Sequence, residues 1–440
     1  MQLAPALLDR NGHVMFGDLL PLSADTISTT ELDAIIDKAT EDPYHELTRF
    51  VFMAASSHED TVYSGKGGYA RLPKTPVDRN QLEREGEPIT EDSIFELYSC
   101  TKLPTTIATL QLVEQGKLDL DDEIRRYVPE CGQVKVLQGF NEDGSIKLAE
   151  PERPVTVRML LTHTSGFSYA MIDPDLLKVA EKLGVPGDFY IKDATKEMFT
   201  VMPLKHQPGT AFAYGTSLDW MSLVVEKVSG MALEDYFQQN IFRPLGITDT
   251  SFHPNSKQIY MAYADESDPS QPFKLAEHWP TSGKDHFGGA GLHGSARSWL
   301  RMLRALLRGG ELDGERILTQ ASVDAMFTDQ LTNDDQRETC PDFAQIGYPV
   351  PARNEQSLKG LTFGFGGALN ATELKTGRAV GTLVWRGMAN TPWFIDRAND
   401  VAVVVFSNVL PRNEPHFQQA WFDAETALYK ALSRHENNSV

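Results

Sequence analysis

The sequence predicts an α+β fold, with one antiparallel sheet assembled from both ends of the chain, flanked by terminal helices, beside a mainly helical subdomain. Three observations carry this expectation. Strand-like segments lie near both ends, helical periodicity fills the middle, and a final helix closes the chain. At 440 residues the chain exceeds the usual size of a single core, which favours two units. The expected division is a discontinuous sheet unit, residues 1–117 and 286–440, and a helical unit, residues 118–285. A ligand site belongs in the cleft between them.

The elements follow in order. Thr29 to Asp42 carries Leu32, Ile35 and Ile36 on one side and predicts a helix. Arg49–Ser56 and Thr61–Arg71 read as strands around the polar turn His58-Glu59-Asp60. Ile94 to Tyr98 is an extended apolar segment. A helix then starts at Ser99, with Leu103, Ile107, Leu110 and Val113 at helical spacing up to Gly116, a C-terminal cap. Pro104 belongs in a first turn, which fixes that start near Ser99. From Leu118 to Phe273 the chain reads as mostly helical, with helices at Val157–Leu161, Leu176–Leu183, Leu218–Val228 and Leu233–Phe242. Helices Ser295–Leu307 and Thr319–Phe327 come next. Strands are expected at Thr362–Leu369, Ala379–Trp385, Pro392–Ile395 and Val401–Phe406, before a last helix, Pro415–Leu432. Gly132–Pro154 and Thr332–Gly360 read as solvent loops or lids.

Composition narrows the function. A hydrophobic fraction of 41% and a charged fraction of 23% are those of a globular protein. A net charge of −20 argues against nucleic acid and anionic membranes as partners. No apolar run approaches the roughly 20 residues of a membrane span. Cys100, Cys131 and Cys340 are too few and too odd for a disulfide scaffold and point to a reducing compartment. Met1 to Arg10 lacks the basic start and apolar core of a signal peptide. The expected location is the cytoplasm, and the sequence is silent on oligomeric state.

The chemistry starts at Ser99-Cys100-Thr101-Lys102. A serine and a lysine three apart in a first helical turn share one face, so the hydroxyl can act as nucleophile and the amine as its proton acceptor. The helix start also favours negative charge developing there. A serine nucleophile needs a further proton carrier and an oxyanion site. Two later segments offer them: Pro208 to Thr216, which holds Tyr214, and Val384-Trp385-Arg386-Gly387-Met388 on a strand.

With these three segments the chain resembles the serine β-lactamase-like family, which includes penicillin-binding proteins, class C β-lactamases and family VIII esterases. Its S-x-x-K motif is Ser99 to Lys102, its Y-x-N motif is matched by Tyr214-Gly215-Thr216, and its third motif, in esterases often W-x-G, by Trp385-Arg386-Gly387. Leu110 to Asp122, Leu160 to Phe167 and Pro244 to Ile247 are also similar to the family. Within it, the pattern is closest to fungal acyltransferases of the statin-side-chain transesterase type. The third motif departs from that subgroup and looks more esterase-like. The resemblance implies a β-lactamase/transpeptidase-like fold with its active site in the cleft.

It further implies Ser99 as nucleophile, Lys102 as base or as the charge that keeps the base deprotonated, and Tyr214 as proton relay. A phenol ordinarily ionises near pH 10 and needs a neighbouring cation for this task. The oxyanion hole would be the backbone amides of Ser99 and Met388. Trp385, Arg386, Gly387 and Thr216 would bind substrate, Arg386 holding a carboxylate in its fork or else forming a surface ion pair. Thr216 stands where the family has asparagine, which weakens recognition of an amide and counts against a β-lactam or peptide substrate.

Other features receive structural readings. Lys375-Thr376-Gly377 spells a K-T-G but sits between two strand-like segments, as a hairpin turn does. His163 reads as a packed, hydrogen-bonded histidine, and Asp219 and Trp220 as residues of a helix start. Gly65 to Ala70 reads as a strand bend and Gly288 to Gly291 as a tight turn near the cleft. No H-E-x-x-H and no G-x-S-x-G occurs, so neither a metal nor an α/β-hydrolase elbow is expected, and no cofactor is implied. The expected activity is a serine esterase or acyltransferase taking an ester or thioester donor and a water or alcohol acceptor. A β-lactamase or D-amino-acid peptidase, and a catalytically silent scaffold, are the alternatives.

Overall fold

Val401–Phe406 reads Val-Ala-Val-Val-Val-Phe, and all six side chains are buried. A strand without polar alternation needs cover on both faces. The computed structural model supplies it, describing residues 29–185, 195–196, 200–253, 255–276, 285–342 and 360–438. The main sheet has eight strands: β1 (Arg49–Ala55), β2 (Tyr63–Arg71), β3 (Glu87–Pro88), β4 (Leu361–Phe363), β5 (Ala368–Asn370), β6 (Leu383–Gly387), β7 (Thr391–Asp396) and β8 (Val401–Phe406). Their order is β4-β5-β6-β7-β8-β1-β2-β3, antiparallel throughout. The two ends of the chain join at β1 and β8, where Met53 faces Val404. This is the α+β architecture expected from the sequence.

Helices cover both faces. Helix α1 (Thr30–Ala39) packs on β1 and β2 and against the terminal helix Pro415–Asn438, to which Glu31 is tied by Lys430 at 2.8 Å. The glycines of β2 serve that contact. A Cβ on Gly65 would lie 2.3 Å from Ile36 Cδ1, and one on Gly67 2.3 Å from Thr40 Oγ1. The Gly65 to Ala70 segment is strand throughout, not the bend expected, and Gly65 and Gly67 clear the face on which the helix sits. The helix Ala296–Leu307 lies against β1, β7 and β8. Ser295 caps it, its hydroxyl accepting from the Ser298 amide at 3.1 Å.

Helix α2 (Lys102–Glu114) runs through the middle, with eleven of its thirteen residues buried, Lys102 to Leu112. Its apolar stripe was expected, but burial extends to the threonines. Thr105, Thr106 and Thr109 hydroxyls donate to the carbonyls one turn back, at 3.0, 2.9 and 2.8 Å, so they need no water.

Three expectations change. Thr362 to Leu369 is two strands, because the chain reverses between Gly364 and Gly367. The polar stretch 132–154 contains a hairpin, Val136–Phe140 with Ile146–Ala149, joined to the rest by Leu137 and Leu204. Of the stretch 332–360, the described part holds a short helix, Asp334–Thr339, and residues 343–359 lie outside the described residues, as do residues 1–28. The K-T-G triplet is a turn, with Gly377 at φ +106° and the Thr376 hydroxyl on Glu425. Among the described residues no helix is long and apolar enough to cross a membrane.

Candidate active site

Ser99 is set by a bend. The chain leaves the short strand Phe95–Glu96, passes Tyr98 at φ +45°, and enters a 3-10 turn, Tyr98–Thr101, that feeds α2. Positive φ on a tyrosine is strained, and such strain gathers at working sites. The Thr101 hydroxyl donates to the Tyr98 carbonyl at 2.7 Å and fixes the bend. The helix proper thus starts at Lys102, and Ser99 stands in the tight turn before it.

Lys102 is buried, and its three ammonium protons have three acceptors: Ser99 Oγ at 3.3 Å, the Tyr169 hydroxyl at 3.0 Å and the Gly289 carbonyl at 2.8 Å. The Tyr214 hydroxyl lies 2.7 Å from Ser99 Oγ. Lys102 Nζ sits 4.8 Å from the centre of the Tyr214 ring and 5.3 Å from that of Tyr169. Ser99, Lys102 and Tyr214, placed together by sequence, therefore meet in space.

The Tyr214 ring is held by an aromatic box. His163 lies 4.8 Å away, Trp385 5.1 Å and Tyr169 5.5 Å, edge-on. His163 also meets Phe212 and Phe363. It is packed as expected, but its Nδ1 is buried without a hydrogen-bond partner among the described residues. Burial and the Lys102 charge push its imidazole well below the ordinary range, so it serves as a neutral wall rather than a proton carrier.

These groups open on a cleft of about 650 Å³, a size suited to a small organic ligand. Its wall includes Ser99, Tyr214, Trp385, Arg386, Gly387 and Met388. Arg386 is 6% exposed and lies in the cleft wall, not on the outer surface where an exposed ion pair was the alternative. Its guanidinium donates to Asn390 and faces the Trp421 ring. Thr216 does not reach the cleft wall. It is buried, and its carbonyl accepts from the Trp220 amide as the helix Ser217–Ser229 begins. Glu96 and His293, both buried and 3.8 Å apart, also line the cleft, and nothing in their local sequence marks them.

Two residues join the site from outside the motifs. Tyr169 comes from the turn after the Leu160–Phe167 stretch, its only sequence signal. Asp219 is buried beneath the lysine, its Oδ1 accepting from the Gly289 amide at 2.9 Å. Burial pushes its carboxyl up to about 6, against the Lys102 charge and the Gly289 amide, which pull it down. A reading of Asp219 as helix-start scaffolding alone omits this environment.

The neighbouring Cys100 is turned away, its thiol donating to the Thr391 carbonyl at 3.2 Å. Burial pushes it up to about 12. Iodoacetamide at pH 7.5 is expected to leave Cys100 unmodified in the native protein, by peptide mass mapping, and to alkylate it after unfolding.

An α+β scaffold whose cleft brings serine, lysine and tyrosine together defines a class of proteins, and sequence comparison places the chain in it. The Beta-lactamase family model matches residues 48–428, and the chain belongs to that family. A lovastatin esterase of Penicillium rubens is 36% identical over 352 residues, 78% of this chain and 87% of its own length. A monacolin J acid methylbutanoyltransferase of Aspergillus terreus is 30% identical over 387 residues, 83% of this chain and 89% of its own. Unliganded simvastatin synthase from Aspergillus terreus matches with a TM-score of 0.76 at 28% identity, covering 92% of this chain and 98% of that one. These relatives include an esterase and acyltransferases, and this chain is an enzyme of that general class.

Proposed function

We propose that the protein is a serine carboxylesterase or acyltransferase that works through an acyl-enzyme on Ser99. The observation that carries this reading is the hydroxyl of Ser99 lying 2.7 Å from Tyr214 and 3.3 Å from Lys102 at the wall of an open cleft. The Ser99 proton passes to Tyr214 acting as the phenolate, whose charge the Lys102 ammonium balances. Oγ attacks the acyl carbon of an ester or thioester. The carbon–oxygen or carbon–sulfur bond breaks, and the leaving alcohol or thiol takes the proton from Tyr214. Water or an alcohol then gives its proton to Tyr214 and attacks the acyl carbon; the acyl–Oγ bond breaks, and Ser99 Oγ takes the proton back from Tyr214. The amides of Ser99 and Met388 receive the oxyanion, while Trp385, Arg386 and Gly387 shape the substrate pocket. We read the compartment as the cytosol, from the three free cysteines.

Intact mass spectrometry with a panel of short-chain esters and thioesters tests the reading. An acyl adduct that maps to Ser99 is the expected result. Faster loss of that adduct with added alcohol, yielding the new ester, identifies a transferase. No adduct with any donor, or nitrocefin turnover far above ester turnover, overturns the proposal.

A further inference from the structure

Gly289 connects two charges. Its carbonyl accepts from Lys102 Nζ at 2.8 Å, while its amide donates to Asp219 Oδ1 at 2.9 Å. The residue is glycine because a Cβ there would stand 2.6 Å from both Asp219 oxygens. The Gly288–Gly289 turn is thus pressed onto a carboxylate that is itself 2% exposed. Among the described residues Lys102 has no carboxylate as a hydrogen-bond partner; its partners are a serine, a tyrosine and a carbonyl. Asp219 lies near enough to feel its charge. An ionised buried group without compensating charge is costly, so a carboxylate one residue away matters to how the ammonium is held.

We propose that Asp219 is a positioning residue for the reaction: its carboxylate, seated on the Gly289 amide, supplies the negative charge that keeps the Lys102 ammonium among Ser99, Tyr169 and Gly289. This rests on the acyl-enzyme reading of Ser99. The groups facing Asp219 are Lys102 from α2, Tyr169 from its turn and the Gly289 amide. His163, which also feels the Lys102 charge, is held neutral by burial. Protonating Asp219 removes the counter-charge, so acylation should weaken on the acid side of the point where this carboxyl titrates, pushed up by burial to about 6.

Asp219→Asn separates charge from shape, because the amide oxygen still accepts from Gly289. The pre-steady-state acylation rate of the wild type should show an acid limb near pH 6. In Asp219→Asn that limb should vanish, with kcat/KM at pH 8 down by the order of 10- to 100-fold, as for other side chains that orient a working group. The melting midpoint gives an independent readout. The folded-state carboxyl titrates above its ordinary value, so its ionisation costs stability as pH rises through the range from about 4 to 6. Asp219→Asn should therefore lose that pH dependence of the midpoint. A retained limb, unchanged kcat/KM, or a retained pH dependence of the midpoint overturns the proposal. Absence of the limb in the wild type does so without any variant. Failure of Ser99 to become acylated in the wild type would instead overturn the acyl-enzyme reading.

Discussion

Ser99→Ala is expected to abolish acyl transfer, with loss of the mass adduct and a fall in kcat on the order of 10⁴-fold or more, as in other enzymes built around one nucleophile. The loss should come without unfolding. Ser99 is half-buried, and the bend that presents it is held by the Thr101 hydroxyl on the Tyr98 carbonyl, not by Oγ. Lys102 keeps two of its three acceptors in this variant, Tyr169 and Gly289. A melting midpoint within a few degrees of wild type, beside absent turnover, is the expected pair of measurements. Turnover and adduct that survive the change would place the chemistry elsewhere.

Tyr214→Phe is expected to give the second largest effect, lowering acylation about 10²- to 10⁴-fold, the usual range for a lost proton carrier. Phenylalanine is the informative choice. It keeps the ring against His163, Trp385 and Tyr169, whereas alanine would also remove that packing at about 3–5 kcal/mol. Substrate binding should change little, so the loss should fall on kcat more than on KM. A phenylalanine variant that acylates at the wild-type rate would leave Lys102 as the proton acceptor.

Much of this architecture could be read in the residues, for identifiable reasons. Ser99 and Lys102 share a face at three-residue spacing, and Val401–Phe406 is too apolar to be anything but a doubly covered strand. Tyr214 and Trp385 carry signals in their neighbours. Tyr169 has only the Leu160–Phe167 stretch before it and Asp219 only a helix start, and it is the fold that brings them to Lys102. Strand ends were misplaced where glycine rules the backbone. Gly377 and Gly381, both at positive φ, delay the strand expected from Ala379 until Leu383. The hairpin at 136–149 carries no clean period-two alternation, since adjacent Lys147 and Leu148 are both exposed in its second strand. The burial of α2 extends beyond its apolar stripe because threonine hydroxyls can be satisfied within a helix.

The pairing of Val51 with Phe406 has a consequence for biosynthesis. The fully buried strand Arg49–Ala55 leaves the ribosome early, but its partner on one edge emerges roughly 350 residues later, some 20–70 s at ordinary translation rates. During that interval a sticky edge waits without its mate, and contacts so distant in the chain close slowly. Slower growth temperatures or holding chaperones should raise the yield of recombinant protein, and truncation before β8 should give aggregates rather than a smaller domain.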